Sequence, residues 1–541
     1  MRLSGGKARL APTGMLCFSP QLVRLIGFRS QAGNGLEDNV GLNRRCKVGL
    51  TTGSMLRLTA ISLLLIAGRV FPSHAQTETT LYSFGSFTND GANPVGGLLL
   101  GGDGNFYSTT SSGGTSNRGT VFRISPNGSY TNLYSFSGPP SDGASPSAGL
   151  VLGGNGNFYG TTQDGGTSTN CGGGCGTVFR ISSSGVYTNL HSFTGAPNDG
   201  AYPAAPLIQG SDSNFYGTTS SGGTSNSGTV FRISLDGVCT TLHSFSGYPK
   251  DGATPDGALV QIKNGNLYGT TYSGGRRDEG TVFRISPSGT YRVLRSIGKS
   301  RKDGWNPYAG LVKGSDGNLY GTTLSDNGGG YGTIFRISPS GAYKTLHHFD
   351  PNNPVDDGWY PYDTPVEGHD GNLYGTTSSG GSPDCQCGTL YRINPSRRRY
   401  DLLYSFVAFG SSVSDGGVPC GPLVQTSDGS FYGTTRAGGS KNEGTVFKFT
   451  APSGELCTYK LSTTAITIPA RSESETVRVK VSSTNCAWTA VSNEPFIATA
   501  SHGTGDGEVF YIVYANGNPT ERFGSITIGD QRLMITQAAE K

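Results

Sequence analysis

The fold is decided by a stretch that runs Tyr159-Gly-Thr-Thr162, Gly176-Thr-Val-Phe-Arg180 and Leu190-His-Ser-Phe193. Each of these motifs occurs seven times with small substitutions, and Asp-Gly-x-x-Pro follows every copy of the third. Copies lie about 52 residues apart, a spacing typical of repeat architectures. The tyrosines of the first motif are Tyr107, Tyr159, Tyr216, Tyr268, Tyr320, Tyr374 and Tyr432.

The pieces of one unit have the pattern of short strands separated by turn signals. In the second unit we predict strands over 149–153, 157–162, 176–182 and 186–193, with a hairpin turn at Asn155-Gly156. Four short strands in about 52 residues, without helical periodicity, are typical of a β-propeller blade. A β-helix requires shorter repeats and is the weaker interpretation.

The two ends of the array are offset by one strand. Leu81-Tyr-Ser-Phe84 precedes the first complete unit, whereas the last unit ends after 444–450 without its fourth strand. We expect the N-terminal strand to become the outer strand of the seventh blade, which hides an otherwise open sheet edge. The sequence therefore predicts a seven-bladed β-propeller over 79–450.

The recurring Gly-Thr-Val-Phe-Arg-Ile and Tyr-Gly-Thr-Thr strings resemble the GloVer tandem-repeat family over about 79–450. This resemblance implies an exported bacterial protein. It implies no defined activity.

The pattern changes after Ala451-Pro-Ser-Gly454. Apolar residues alternate at 461, 466 and 468 and again at 477, 479 and 481, which predicts β-strands. We expect 455–541 to form an immunoglobulin-like β-sandwich, so the whole chain is predicted to be all-β.

This C-terminal segment resembles a BACON module over about 455–538. The matching pieces are Cys486-Ala-Trp-Thr-Ala490, Gly503-Thr-Gly-Asp-Gly507, Arg522-Phe-Gly524 and Ile535-Thr-Gln537. Pro495-Phe-Ile497 departs from the family, which usually carries Trp before the Ile. The resemblance implies glycan or mucin adhesion, with a simple spacer as the alternative, and it assigns no binding residue.

The N-terminus has the features of an export signal. Residues 55–75 contain Arg57, an apolar run from Leu58 to Ala67 and Ser73-His-Ala75, which is the pattern of a signal peptide. Residues 1–54 show no periodic pattern, so we interpret them as a mis-assigned or extended N-terminus. We expect a secreted protein, extracellular or periplasmic, with no transmembrane segment in the mature chain.

The overall charge is misleading until this segment is set aside. Residues 1–75 hold ten of the 41 Lys and Arg but two of the 37 Asp and Glu, so the remainder carries a net charge of −4. A mildly acidic chain lacks the electrostatic footprint of a nucleic-acid-binding protein. We expect a monomer whose partners are polysaccharides or the glycans of glycoproteins.

Cysteines of the mature chain are disulfide candidates because export passes through an oxidising compartment. We expect Cys420 to pair with Cys385 or Cys387, and Cys457 to pair with Cys486 beside Trp488. Zinc is the weaker alternative for the closely spaced cysteines. The candidates are Cys171, Cys175, Cys385, Cys387, Cys420, Cys457 and Cys486.

A residue present in all seven units is expected to be scaffold, because a single site needs one copy. The seven aspartates of Asp-Gly-x-x-Pro are therefore interpreted as turn residues that bond their own backbone. Calcium is an alternative ligand of these turns, but they lack the ligand count of a known calcium loop. We predict no other cofactor, no metal site and no catalytic residue.

Departures from the repeat are the positions where function is specified. The fifth and sixth copies read Asp303-Gly-Trp-Asn-Pro-Tyr308 and Asp357-Gly-Trp-Tyr-Pro-Tyr362. We predict a sugar-stacking surface there, since flat aromatic rings bury the apolar faces of sugars. The alternative is that both tryptophans cover the gap between blades. The predicted residues are Trp305, Tyr308, Trp359, Tyr360 and Tyr362.

Three functions follow from this pattern. The leading one is a secreted, non-catalytic binding protein that recognises glycans or the cell envelope through propeller loops and the BACON-like module. The second is a propeller-fold glycoside hydrolase or polysaccharide lyase. The third is an envelope scaffold that binds protein. The sequence leaves enzymatic activity open and favours binding.

Overall fold

The computed structural model describes residues 77–300, 303–326, 331–350, 352–383, 385–407, 415–450, 459–481, 487–492, 494–499, 501–528 and 531–540. The predicted N-terminal segments, 1–54 and 55–75, lie outside these residues, as do Cys457 and Cys486. The chain forms two compact units, which meet between Thr450 and Ala451 in sequence.

The first unit contains, within the described residues, six four-stranded sheets and one five-stranded sheet, all antiparallel. The first strands are β3 (Leu99–Leu100), β9 (Val151–Leu152), β15 (Ile208–Gln209), β21 (Val260–Gln261), β27 (Val312–Lys313), β32 (Val366–Glu367) and β37 (Val424–Gln425). The second strands are β4 (Phe106–Thr110), β10 (Phe158–Thr162), β16 (Phe215–Thr219), β22 (Leu267–Thr271), β28 (Leu319–Thr323), β33 (Leu373–Thr377) and β38 (Phe431–Gly438).

The third and fourth strands of each sheet carry the other two motifs. The third strands are β6 (Thr120–Ile124), β12 (Thr177–Ile181), β18 (Thr229–Ile233), β24 (Thr281–Ile285), β30 (Thr333–Ile337), β34 (Thr389–Asn394) and β39 (Thr445–Thr450). The fourth strands are β7 (Tyr130–Ser135), β13 (Tyr187–Ser192), β19 (Cys239–Ser244), β25 (Tyr291–Ser296), β31 (Tyr343–His348), β35 (Arg399–Ser405) and, in the last sheet, β1 (Thr77–Ser83).

In five repeats a two-residue strand of the Asp-Gly-x-x-Pro loop pairs with a two-residue strand that follows the second strand. The pairs are β2 (Gly91–Ala92) with β5 (Ser112–Gly113), β8 (Gly143–Ala144) with β11 (Asp164–Gly165), β14 (Gly200–Ala201) with β17 (Ser221–Gly222), β20 (Gly252–Ala253) with β23 (Ser273–Gly274), and β26 (Gly304–Trp305) with β29 (Ser325–Asp326). In the last sheet β36 (Gly416–Pro419) pairs directly with β38, and α1 (Pro354–Asp357) is a four-residue helix. No helix among the described residues is long and apolar enough to cross a membrane.

The predicted partnership of the N-terminal strand is confirmed. β1 runs antiparallel to β39, with Thr77 opposite Thr450 and Ser83 opposite Thr445. The backbone N–H of Phe84 then donates to the carbonyl of Gly444 at 3.0 Å. The first residues of the unit therefore complete the sheet formed by its last residues.

Adjacent sheets pack through the same aromatic contact. The ring of Tyr107 lies 4.1 Å from that of Phe158 in the next sheet, and Tyr159 lies 4.1 Å from Phe215. Tyr432 of the last sheet makes the equivalent contact, at 4.4 Å, with Phe106 of the first. The repeat motif thus supplies the apolar contact between neighbouring sheets, including the last and the first.

The residue before each proline of Asp-Gly-x-x-Pro has a left-handed backbone with φ between 53° and 60°. Its N–H donates, at 2.8 or 2.9 Å in most copies, to a carbonyl of the preceding repeat, as Asn93 does to Glu443. These residues are Asn93, Ser145, Tyr202, Thr254, Asn306, Tyr360 and Val418.

This geometry predicts that Thr254→Asn stabilises the protein. Asn tolerates left-handed φ, whereas the β-branched Thr at φ 55° is strained there. We expect thermal denaturation to report a gain of about 0.5–1 kcal/mol in the free energy of unfolding. The control is Thr240→Asn on the exposed face of β19, which should give no gain. Equal effects of the two changes would show that the backbone at 254 is unstrained.

The interpretation of the repeated aspartates as turn residues is confirmed. Asp142, for example, accepts backbone N–H bonds from Gly143 and Ser137 at 2.7 Å and a hydroxyl bond from Tyr134. His191 and His243 take the place of that tyrosine, at 3.2 and 3.1 Å from Asp199 and Asp251. These contacts with the carboxylates hold both histidines against the turn, where they are half-buried.

The described part of the second unit contains two sheets. One is ordered β40 (Tyr459–Leu461), β42 (Glu473–Val481), β46 (Gly507–Val513), β44 (Ile497–Thr499). The other is ordered β41 (Ala465–Ile468), β48 (Gln531–Gln537), β47 (Arg522–Ile528), β43 (Ala487–Ser492), β45 (His502–Thr504). Their buried side chains form one core around Trp488, whose Nε1 donates to the carbonyl of Gly505 at 2.9 Å. An immunoglobulin-like topology stays a prediction.

Candidate functional site

A cavity of about 240 Å³ lies where all seven repeats of the first unit meet. In every repeat, the residue that follows the proline of Asp-Gly-x-x-Pro lines this cavity. These seven residues are Val95, Ser147, Ala204, Asp256, Tyr308, Tyr362 and Cys420. Ser111, Gln163 and Arg436 line it from the position that follows Tyr-Gly-Thr-Thr. The cavity wall is therefore built from positions that vary between repeats.

The invariant residues hold these variable positions in place. A threonine hydroxyl of the second strand donates to a loop carbonyl of the following repeat, as Thr270 does to Ala309 at 2.7 Å. Thr434 of the last repeat bonds Gly96 of the first in the same way, at 3.2 Å. These bonds fix the loop backbone beside the lining residues. The lining side chain can therefore differ between repeats without a change in the backbone of the loop.

Two polar side chains in the wall have buried atoms without a partner. Gln163 is 1% exposed, and neither its amide nitrogen nor its amide oxygen has a hydrogen-bond partner among the described residues. The same holds for the hydroxyl of Ser147. An unsatisfied buried polar group costs about 1–3 kcal/mol. A ligand that bonds these groups would recover that cost.

Two buried carboxyl groups lie in the same wall. Asp256 and Asp363 are each 8% exposed. Burial raises the pKa of Asp256 to about 7. Burial likewise raises the pKa of Asp363 to about 7, although a hydrogen bond from Thr376 opposes the increase. Near neutral pH both groups can therefore donate as well as accept a hydrogen bond.

Tyr308 and Tyr362 form the aromatic part of the wall. The rings of Tyr308 and Tyr362 lie 5.5 Å apart and nearly perpendicular, and Tyr272 lies 6.5 Å from Tyr308. Burial raises the pKa of Tyr308 well above its usual value, and nearby Asp256 raises it further, so the phenol is neutral. Burial lowers the pKa of Arg436, against the effect of the tyrosines, but the guanidinium stays charged.

The five residues of the predicted sugar-stacking surface do not lie in one place. Tyr308 and Tyr362 line the cavity. Trp359 instead stacks on Tyr331 at 4.2 Å and its Nε1 donates to the carbonyl of Asp350.

The other two predicted residues, Tyr360 and Trp305, do not line the cavity. Tyr360 makes an edge contact with Tyr331 at 5.0 Å and lies 6.4 Å from Tyr362. Trp305 is half-buried in β26, and its Nε1 is buried without a partner among the described residues. Stacking of sugars on this set stays a prediction.

Sequence reasoning missed Gln163, Asp256, Asp363 and Arg436. The signal was present, because Gln163 and Arg436 occupy one column of the repeat in which the other copies carry Ser, Tyr or Leu. The prediction from departures named residues of the two tryptophan-containing loops and none in this column. The prediction followed the rare residue type, Trp, although the column of Gln163 and Arg436 shows the larger change in side-chain chemistry between repeats.

Among the described residues, two disulfides join candidate cysteines. Cys171 is bonded to Cys175, and Cys385 is bonded to Cys387. The expectation that Cys420 pairs with Cys385 or Cys387 is wrong, because these two cysteines satisfy each other across a Cα separation of 5.2 Å. Cys420 lies in the cavity wall.

Solved structures that resemble the chain include two enzymes at low identity. Oligogalacturonate lyase from Vibrio parahaemolyticus is 8% identical, with 70% of this chain and 97% of that chain covered and a TM-score of 0.43. A puromycin-hydrolysing peptidase of Mycobacterium tuberculosis is 12% identical, with coverages of 72% and 64% and a TM-score of 0.33. No curated protein matches the chain in sequence.

The sequence profile of the Gloeobacter/Verrucomicrobia repeat matches residues 50–283 and 257–477. The two matches overlap and together span most of the chain. They include every copy of the Tyr-Gly-Thr-Thr motif and of the loop that lines the cavity. The chain belongs to the Gloeobacter/Verrucomicrobia repeat family.

Proposed function

We propose that the protein is an exported carbohydrate-binding protein and that the cavity of its first unit holds a sugar residue. In this proposal 79–450 is a seven-bladed β-propeller closed by β1, and the cavity lies on its axis. The supporting observation is the buried, unpartnered amide of Gln163 in a wall that also carries Tyr308 and Asp256.

The chemistry of the wall suits hydroxyl groups. Each sugar hydroxyl both donates and accepts a hydrogen bond, as do the amide of Gln163, the hydroxyl of Ser147 and a protonated carboxyl. Tyr308 and Tyr362 offer ring faces and edges to the apolar C–H groups of a sugar. A cavity of about 240 Å³ is smaller than the ~300–1,000 Å³ clefts of drug-sized ligands, so one ring rather than a long chain fits inside.

Two outer features would extend this contact. Trp305 and Trp359 belong to the same Asp-Gly-x-x-Pro loops as the cavity residues Tyr308 and Tyr362, and we propose that they touch the following sugars of a chain. The BACON-like C-terminal module would add a second glycan contact. Export through the signal peptide at 55–75 completes the proposal.

Hydrolysis or lyase cleavage of a glycan is the second candidate function. It is favoured by one observation, that Asp256 and Asp363 share a cavity and both have a pKa of about 7. Carboxyl groups with raised pKa act as general acids in glycoside hydrolysis. An envelope scaffold that binds protein is the third candidate.

A glycan-array screen with a parallel reducing-sugar release assay tests the proposal. Wild-type protein should bind a defined set of glycans without releasing sugar. Gln163→Ala should weaken binding at least tenfold, because the buried amide bonds nothing else, while the melting temperature stays within a few degrees.

The control is Ser184→Ala in an exposed turn, which should bind as wild type does. Sugar release would favour the enzyme. Absence of glycan binding by both the whole chain and its variants would overturn the proposal.

A further inference from the structure

We infer, on the basis of the proposed carbohydrate function, that the sugar held in the cavity carries a free amine. In this inference Asp256 and Asp363 are the counter-charges of an ammonium group that lies beside Tyr308 and Tyr362. The ligand class is an amino sugar, such as a glucosamine residue at a chain end.

Asp256 is the first step of the argument. Its side chain lies in the cavity wall and is buried, yet no described residue donates a hydrogen bond or forms an ion pair with its carboxyl group. A buried carboxylate is stable when a cation pairs with it. No Lys, Arg or His among the described residues forms an ion pair with Asp256, although Arg436 lines the same cavity, so a cationic ligand would supply the missing pair.

The aromatic wall is the second step. The charges of Asp256 and Asp363 both raise the pKa of Tyr308. The ring of Tyr308 lies edge-on to those of Tyr272 and Tyr362. Several tyrosine faces beside carboxyl groups form the environment in which proteins hold ammonium groups, through cation–π attraction and ion pairing. A neutral ligand would gain from the ring faces but not from the carboxylates.

The charge balance is the third step. The charged residues that line the cavity are Asp256, Asp363 and Arg436. The tyrosines are neutral phenols, so ionised aspartates give the wall a net charge of −1. One ammonium group neutralises this charge. A sugar carboxylate would instead double it.

The second observation at this site is Gln163. Its amide lies in the same cavity wall, is buried, and has both polar atoms without a partner among the described residues. This amide can donate hydrogen bonds to the hydroxyl groups of the same sugar and accept hydrogen bonds from them. The carboxyl groups would then bind the amine of the ligand and the amide its hydroxyl groups.

Proton release gives the inference a signature of its own. Without ligand, Asp256 and Asp363 are each about half protonated at pH 7, because burial raises their pKa to about 7. An ammonium group favours the ionised form of both. Binding of an amino sugar at pH 7 should therefore release about one proton, whereas binding of a neutral sugar should release none.

The test is isothermal titration calorimetry of the full mature chain with the methyl glycosides of glucosamine, N-acetylglucosamine and glucose at pH 7. Measurements in two buffers of different ionisation enthalpy give the number of protons released. We expect glucosamine to bind at least tenfold more tightly than the other two and to release about one proton. Asp256→Asn should weaken the preference for glucosamine and reduce the release to about half a proton, the share of Asp363.

Asp236→Asn is the matched control, because Asp236 is an exposed turn residue outside the cavity. It should keep the preference and the proton release. Equal affinity for all three glycosides, without proton release, would overturn the amine inference and leave the proposed function standing. Binding of none of them, with no glycan found by the array, would overturn both.

Discussion

Asp256→Asn is expected to make the protein more stable above pH 7 while it weakens ligand binding. Burial raises the pKa of the Asp256 carboxyl from 3.8 to about 7 in the folded state. The folded protein then binds more protons than the unfolded chain between about pH 4 and 7, so stability falls as pH rises through this window. Above pH 7 the wild-type residue costs up to about 4 kcal/mol, at about 1.4 kcal/mol per pKa unit. Asn carries no such cost.

The measurement is the melting temperature of wild type and variant from pH 4 to pH 8.5. The difference should be small at pH 4, increase up to about pH 7 and stay constant beyond it. A variant that is less stable than wild type at pH 8 would show that the Asp256 carboxylate is paired within the protein. The carboxyl would then be part of the scaffold rather than a group that awaits a ligand.

Removal of residues 77–86 is expected to cost several kcal/mol, on the order of the stability of a whole domain. The deletion removes β1, which pairs along β39, and it removes Phe84. Phe84 is fully buried and lies 5.3 Å from Phe122 of the first sheet. The seventh sheet would be left with an open edge.

A point variant isolates the packing part of this effect. Phe84→Ala should cost about 3–5 kcal/mol, as expected for a buried Phe. Phe87→Ala, three residues away and 68% exposed, should change stability by less than about 0.5 kcal/mol. Chemical denaturation measures both. A melting temperature of the deletion equal to that of wild type would refute the closure by β1.

Most of the first unit follows from its repeats. The predicted strand at 186–193 is β13 (Tyr187–Ser192), and the one at 157–162 is β10 (Phe158–Thr162). Turn residues and alternating apolar residues specify such strands locally. The offset of the motifs at the two ends was sufficient to predict the pairing of β1 with β39, because an unpaired edge strand is unfavourable.

The site was harder to predict, because its residues come from all seven repeats and follow a backbone conformation that the sequence does not indicate. Left-handed φ at Thr254 and Val418 is unexpected for β-branched residues, and in both copies the cavity-lining residue comes two positions later. Gln163 and Asp256 come from different repeats, and each of the seven repeats contributes two to five residues to the wall. No motif within a single repeat therefore reveals the wall, and only a comparison of aligned repeats marks Gln163 as a departure.

The central claim, that the cavity of the first unit binds a sugar residue, is tested most directly by a crystal structure of the protein with the best ligand from the glycan array. We predict density for a sugar ring in the cavity, within hydrogen-bond distance of the Gln163 amide and the Asp256 carboxyl. A glycan bound elsewhere, on the outer tryptophans or on the C-terminal unit, with no sugar in the cavity, would contradict the account.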